Sequence, residues 1–209
     1  CMDVLDTHTP DHGWTQHYEL MREMGDCYTQ LGEFDQARRC YEKAAALEPD
    51  EDGPYVGTGV IALQEGRLDD AELAFRVALR LNRRCSRAWA GLAMIRQQRN
   101  ALAEAFECYL KSLDLNSDNL TALLGLFQVS CQMGSFERVI DYLNIYLDKH
   151  PGDTAVMFCL ATLYVKEHKP QQARQLLESV LIFEPNNDDA RNLLEEVEHM
   201  QAQTTGVSK

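Results

Sequence analysis

Residues of the same kind recur every 34 positions along this chain, and this register limits the fold more than any single motif does. One column holds the glycines Gly57, Gly91 and Gly125. A column of turn residues holds Gly32, Gly66, Asn100 and Gly134, with His168 in the last copy. Aromatic or leucine side chains form the column Tyr41, Phe75, Tyr109, Leu143 and Leu177. A fixed period of this length is typical of an array of repeated supersecondary units, each stacked on its neighbours.

The register divides most of the chain into five units, which are 18–51, 52–85, 86–119, 120–153 and 154–187. Within the third unit, Trp89, Leu92 and Ala93 are spaced as on one face of a helix, and the apolar spacing restarts at Leu102. Asn100 separates the two stretches, and asparagine and glycine tolerate the left-handed backbone that often follows a helix. Each unit is therefore predicted to fold into two helices joined by a tight turn.

The segment before the first unit does not follow the register. Residues 1–14 contain Pro10 and Gly13, so we expect them to be extended or disordered, with the helical array covering residues 15–187. Because the first residue is Cys1 rather than methionine, we expect the chain to be a fragment or a processed product.

The segment after the last unit is predicted to close the array. Residues 188–202 have one apolar and one acidic face, as a capping helix needs. Asn186, Asn187 and Asp188 offer a cap for its first turn. The polar residues 203–209 are expected to be disordered.

Charge and cysteine content exclude several classes of protein. With 20 Lys and Arg against 33 Asp and Glu, the net charge is −13, the wrong sign for a nucleic-acid binder or a partner of acidic membranes. No apolar run reaches the roughly 20 residues that insert across a bilayer. The 7 cysteines have no C-x-x-C pair, which argues against a disulfide framework and favours a cytoplasmic location.

We find no residue pattern that indicates catalysis, a cofactor or a metal. The chain has no Gly-rich phosphate loop, no H-E-x-x-H and no G-x-S-x-G sequence. His8, His12 and His17 are spaced by four and five residues, but Pro10 and Gly13 interrupt the helix that would bring them together. The chain is therefore predicted to be non-enzymatic and to need no cofactor.

Several units also share residues of a known repeat family. The first unit has Gly25, Tyr28, Ala37, Tyr41, Ala44 and Pro49, the third has Trp89, Leu92, Ala105 and Tyr109, and the fifth has Leu160, Ala161, Tyr164, Ala173 and Pro185. This pattern resembles the tetratricopeptide repeat (TPR) family. The resemblance implies an all-α fold, a right-handed α-solenoid of five 34-residue units closed by a C-terminal capping helix.

The family geometry also implies which residues face the concave groove of such a solenoid. In the first unit they are charged or polar: Glu19, Arg22, Glu23, Asp26 and Thr29. The residues predicted to bind a peptide come from the later units and are Val56, Gly57, Val60, Leu63, Arg87, Ala90, Gly91, Met94, Gln97, Leu124, Gly125, Gln128, Phe158 and Thr162. Most are apolar or small, so we predict an exposed apolar patch that binds a partner segment. The alternative is that the glycine column only allows helices to pack closely.

Two charged features, one in the groove and one at an inter-repeat turn, have alternative interpretations. The family's carboxylate clamp for chaperone tails is matched by Arg22 and Arg87, but Asp26 and Gly57 depart from it, which makes that ligand unfavourable. A second feature is the arginine cluster, Arg76, Arg80, Arg83, Arg84 and Arg87. It either seats an acidic partner segment or complements a helix dipole and pairs with Asp69, Asp70 and Glu72.

Taken together, these patterns predict a protein-interaction module. It would bind a peptide or an amphipathic helix of a partner protein in the groove and act as an adaptor or scaffold in a multiprotein complex. One alternative is a self-assembling scaffold, a homo-oligomer whose groove holds the N-terminal segment of the same or a neighbouring chain. Another is the regulatory arm of a larger enzyme.

Overall fold

The computed structural model describes the backbone of residues 10–206 and the side chains of residues 17–202. All regular structure in this part of the chain is helical, which confirms the predicted all-α class. The helices are α1 (Pro10–Gln30), α2 (Phe34–Leu47), α3 (Gly53–Gln64), α4 (Leu68–Leu81), α5 (Ser86–Gln98), α6 (Leu102–Leu115), α7 (Leu120–Met133), α8 (Glu137–Lys149), α9 (Thr154–Lys166), α10 (Pro170–Phe183) and α11 (Asp188–Gly206).

The turn column marks the connections within consecutive helix pairs, as predicted. Asn100 and His168 have φ angles of 59° and 55°, in the left-handed region that few residues other than glycine adopt. Gly66, at the same register, has a φ of 75°. A residue with this backbone ends the first helix of a pair and directs the chain into the second.

A second column, also spaced by 34 residues, begins three of the later helices. The side chains of Asn119, Asp153 and Asn187 each accept a hydrogen bond from the backbone N–H three residues further on, at 3.2, 3.1 and 2.9 Å. Such caps satisfy one of the first N–H groups of a helix, which have no partner inside it. The predicted cap at the start of α11 is therefore confirmed.

Both predicted ends of the array need correction. Helix α1 begins at Pro10, because proline fits the first turn of a helix, where its missing N–H costs no hydrogen bond. The prediction of extended chain is therefore wrong for residues 10–14, and residues 1–9 lie outside the described part. Helix α11 continues to Gly206, beyond the predicted end at residue 202, and residues 207–209 are not described.

The chain forms two compact units, Cys1–Leu115 and Asn116–Lys209. In the first unit, one core cluster surrounds Phe75 and a smaller one surrounds Tyr41. In the second unit, the core surrounds Leu177 and includes residues of α9, α10 and α11. Full burial of a side chain such as Phe75 stabilises a fold by about 1.5–3 kcal/mol.

None of the described helices combines the length and the apolar character needed to cross a bilayer.

Candidate peptide-binding site

In the first unit, the ring of Tyr41 lies between two glycines of different helices. A methyl group added at Gly25 of α1 would come within 2.5 Å of the ring, and one added at Gly57 of α3 would overlap it. Real side-chain atoms essentially never approach that closely. Tyr41 is only 2% exposed, so its ring fills the space between α1 and α3. We call this arrangement the Tyr41 seam.

The same arrangement recurs 34 residues later around Phe75. A methyl group added at Gly59 of α3 would come within 2.7 Å of the Phe75 ring, and one added at Gly91 of α5 would overlap it. Phe75 is fully buried. We call this arrangement the Phe75 seam.

The two seams differ in the side chains that surround the far end of the ring. Asp26 and Thr29 lie near the Tyr41 hydroxyl. The residues 34 positions later are Val60 and Leu63, and both belong to or pack against the core cluster of Phe75. A hydroxyl thus meets polar partners, and a plain ring meets apolar ones, as the cost of burying an unpaired polar group requires.

The polar network of the Tyr41 seam joins α1, α2 and α5. The Tyr41 hydroxyl donates to a carboxylate oxygen of Asp26 at 2.7 Å, and the Thr29 hydroxyl donates to the carbonyl of Gly25 at 2.8 Å. Asp26 also pairs with Arg22 at 3.1 Å and with Arg87 at 3.9 Å. Burial, together with the carboxylate of Asp26, raises the pKa of the Tyr41 phenol well above its usual range, so it stays a donor at neutral pH.

A pocket of about 420 Å³ opens on the Tyr41 seam. Its lining consists of Asp26, Thr29, Gln30, Tyr41, Gly57, Val60, Gln64 and Arg87. Three of these, Gly57, Val60 and Arg87, are among the predicted groove residues. Asp26 and Thr29 lie at positions that the family geometry also places on the groove face, although they were not among the predicted peptide-binding residues. The prediction missed Gln30, Tyr41 and Gln64. The two glutamines do have a sequence signal, because they are 34 residues apart.

The predicted apolar patch is wrong for part of its members in the first unit. Val56, Leu63 and Ala90 are 1%, 8% and 3% exposed, because they pack into the core of this unit rather than face solvent. Gly57 and Gly91 are also buried, and the rings beside them explain why a larger residue does not fit. The structure thus favours close helix packing as the reason for these two glycines.

Two further predicted groove residues of the first unit contact side chains of their own unit. In the first unit, Met94 packs against the Phe75 core cluster, and Gln97 accepts a hydrogen bond from the Tyr109 hydroxyl at 2.7 Å. This bond gives Tyr109 the polar partner that Asp26 gives Tyr41.

The second unit holds the other five predicted residues. Phe158 lines a pocket of about 150 Å³ with residues of α9 and the start of α11, and its carbonyl accepts from the Thr162 hydroxyl at 2.9 Å. Leu124 is half-buried, Gly125 is buried and Gln128 is exposed.

The arginine cluster is only partly paired as expected. Arg76 pairs with Glu72 at 2.6 Å, whereas Arg87 pairs with Asp26. Glu72 also binds Arg96 at 2.8 Å and Arg99. Burial raises the pKa of Glu72, but the guanidinium groups of Arg99, Arg96 and Arg76 outweigh it and hold the pKa below its usual value.

The described residues include histidine, cysteine and carboxylate side chains, the usual metal ligands and reactive groups. In this part of the chain no group of three or more His, Cys, Asp or Glu side chains is placed to hold a metal ion. Of the histidines considered above, the side chains of His8 and His12 lie outside the described residues. Burial raises the pKa of the Cys85 thiol to about 12 and that of Cys159 to about 11, so neither is a thiolate at neutral pH.

Residues 23–83 and 86–119 match two models described as tetratricopeptide repeat. Human tetratricopeptide repeat protein 7B is 34% identical over 88 residues, which are 42% of this chain and 10% of that protein. The chain spans between a tenth and about a quarter of the length of the first relatives it matches.

Solved structures share the fold. The structure of PilF from Pseudomonas aeruginosa is similar over 94% of this chain and 95% of that chain, with a TM-score of 0.69 and 19% identity. The first TPR domain of Spaghetti, bound to an HSP90 peptide, is 25% identical and covers 57% of this chain and 95% of that chain, with a TM-score of 0.50.

The matched ranges include the end of α1 and the helices α2–α6. The assignment of α7–α10 as a fourth and fifth repeat stays a prediction. The turn residues and the buried rings recur every 34 residues, and both family matches describe the same kind of repeat. Over residues 23–83 and 86–119, the chain belongs to the tetratricopeptide repeat family.

Proposed function

We propose that this chain is a non-enzymatic protein-interaction module that binds a peptide segment of a partner protein at the Tyr41 seam. In this role it would serve as an adaptor or scaffold within a multiprotein complex. The observation that carries the proposal is the pocket over Tyr41, whose hydroxyl is held in place by hydrogen bonds with Asp26 and Thr29.

The lining supports a peptide rather than a small charged ligand. Val60 offers apolar surface, and Gln30 and Gln64 offer amide groups at its edge. A peptide combines these two chemistries, since it has apolar side chains and a hydrogen-bonding main chain. The first TPR domain of Spaghetti, to which this chain is similar, has been solved with a bound peptide.

Asp26 argues against a partner that ends in a carboxylate. Its own carboxylate pairs with Arg22 and lies 3.9 Å from Arg87, the two residues that the family's clamp would use. An incoming carboxylate would therefore meet a negative charge between the two arginines, which disfavours its binding.

The test is selection of binding peptides from a displayed library of random 12-residue sequences against the full chain. Selected peptides are synthesised, and their dissociation constants are measured by fluorescence anisotropy. Val60→Asp places a charge on the floor of the pocket and should weaken binding at least tenfold, because an unpaired charge is costly on an apolar surface.

Two further variants keep this test clear of folding defects. Gln64→Trp fills the pocket from an exposed position and should also weaken binding, whereas Leu73→Asp changes an exposed apolar residue of α4 and should leave it unchanged. Circular dichroism checks that each variant is folded. Binding that survives both Val60→Asp and Gln64→Trp would refute the proposed site.

A further inference from the structure

Glutamine recurs at one position of the first helix in consecutive repeats. Gln30, Gln64 and Gln98 are spaced by 34 residues and are the last residues of α1, α3 and α5. All three side chains are exposed. Within the residues that the structure describes, their amide groups have no hydrogen-bond partner. We call them the glutamine row.

The three helices that carry the glutamine row are neighbours. Helix α1 contacts α3, and α3 contacts α5. Gln30 and Gln64 both line the pocket at the Tyr41 seam, so two members of the row already edge the candidate site. Each amide can donate through its nitrogen and accept through its oxygen, which matches the two hydrogen-bonding groups of a peptide unit.

The charged side chains of the pocket balance each other, so the pocket does not favour a charged partner of either sign. Its lining contains one acidic side chain, Asp26, and one basic side chain, Arg87, and these face each other at 3.9 Å. The groups left to recognise a partner are therefore the neutral amides of Gln30 and Gln64 and the apolar surface of Val60.

We propose that the glutamine row binds the main chain of an extended, uncharged segment of a partner protein, in a polyproline II-like conformation. This inference rests on the proposed function and specifies its ligand. In the interior of a bound α-helix, the main-chain N–H and C=O groups are used inside the helix, so a row of amides would find no repeating main-chain groups to bind. An extended segment presents those groups unpaired.

The spacing of the helices favours the same conformation. Packed helices lie about 8–10 Å apart. A polyproline II segment rises about 3.1 Å per residue and repeats its orientation every three residues, or roughly every 9 Å. Every third residue of the partner would thus meet the next glutamine with the same face, whereas a β-strand alternates its faces with a period of two.

The experiment uses the 12-residue peptides selected above and the full chain with Gln30→Ala, Gln64→Ala or Gln98→Ala. Each substitution should weaken binding by about two- to tenfold, the range expected for loss of one neutral hydrogen bond. Gln172→Ala, at an exposed glutamine of α10 outside the row, is the matched control and should change nothing.

Substitutions in the peptide test its conformation. Proline should be tolerated at several consecutive interior positions, because it fits polyproline II and disrupts a helix. An alanine scan of the peptide should show losses at every third residue.

The outcomes separate the two proposals. If Val60→Asp abolishes binding but the glutamine variants do not weaken it, or interior proline prevents it, the glutamine-row inference is wrong and the proposed function stands. If no library peptide binds the native chain, or binding survives Val60→Asp and Gln64→Trp, both are wrong.

Discussion

The Tyr41 seam and the Phe75 seam have the same backbone design but different chemistry. Each ring is enclosed by two glycines of successive first helices, at positions related by 34 residues. The Phe75 seam is apolar throughout, whereas the Tyr41 hydroxyl donates to Asp26 beneath a pocket. The Tyr41 hydroxyl and its polar partners Asp26 and Thr29 thus distinguish a candidate binding site from a seam that only packs two helices together.

The largest expected effect comes from emptying the apolar seam. Phe75→Ala should lower the free energy of unfolding by about 3–5 kcal/mol, because the two flanking glycines have no side chains to fill the cavity. The measurement is urea unfolding followed by circular dichroism. Phe183→Ala, at a phenylalanine that is 60% exposed, should change stability by less than about 1 kcal/mol. Equal effects of the two changes would show that Phe75 is not enclosed as described.

Glycine substitution tests the close packing in each seam. Gly91→Ala should destabilise the fold by about 1–3 kcal/mol through overlap with Phe75, outweighing the roughly 1 kcal/mol that alanine gains inside a helix. Gly57→Ala should act similarly through Tyr41, and Gly152→Ala, with open space around it, should be nearly neutral. Adding Phe75→Leu to Gly91→Ala should cost less than the sum of the two changes, as a double-mutant cycle can measure.

The two seams can also be compared by adding a hydroxyl to the Phe75 ring and removing it from the Tyr41 ring. Phe75→Tyr should cost about 1–3 kcal/mol, because the new hydroxyl lies beside Val60 and Leu63 without a partner. Tyr41→Phe should cost about 1 kcal/mol, since it removes the hydrogen bond to Asp26. Adding Leu63→Gln to Phe75→Tyr supplies the kind of acceptor that Gln97 provides for Tyr109, so the pair should show favourable coupling. An absence of coupling between the two substitutions would contradict the claim that each ring is matched in polarity to the side chains around it.

The smallest expected effect is on stability at alkaline pH, where the Tyr41 phenol of the unfolded chain loses its proton. The pKa of Tyr41 is raised in the folded state, so its neutral form contributes stability that is complete below pH 10 and is lost as pH rises through the raised pKa. Between pH 10 and 11, Tyr41→Phe should therefore lose less stability than the native chain, by up to about 1 kcal/mol. Urea unfolding midpoints of both proteins at pH 10 and pH 11 measure this difference. An equal loss of stability in the native chain and in Tyr41→Phe would contradict it.

Periodicity predicted the backbone well because it reports which positions recur in equivalent surroundings. The turn at Asn100, the cap at Asn187 and the helix pairs all follow from residues with strong local preferences. The site was predicted less well. The groove positions taken from the family are averages, and the ring at Phe75 draws Leu63 into the core, whereas the ring at Tyr41 directs Asp26 and Thr29 toward a pocket. That difference depends on pairs of residues in different helices, which spacing alone does not connect.

The most direct test of the central claim is to map the peptide on the chain by nuclear magnetic resonance. The isotope-labelled full chain would be titrated with the tightest library peptide, and backbone amide shifts would be followed. Our account predicts the largest shifts at Gly57, Val60 and Gln64, with little change on the outer surface of α4 around Leu73. Shifts centred on Leu73, or spread evenly over both units, would contradict it.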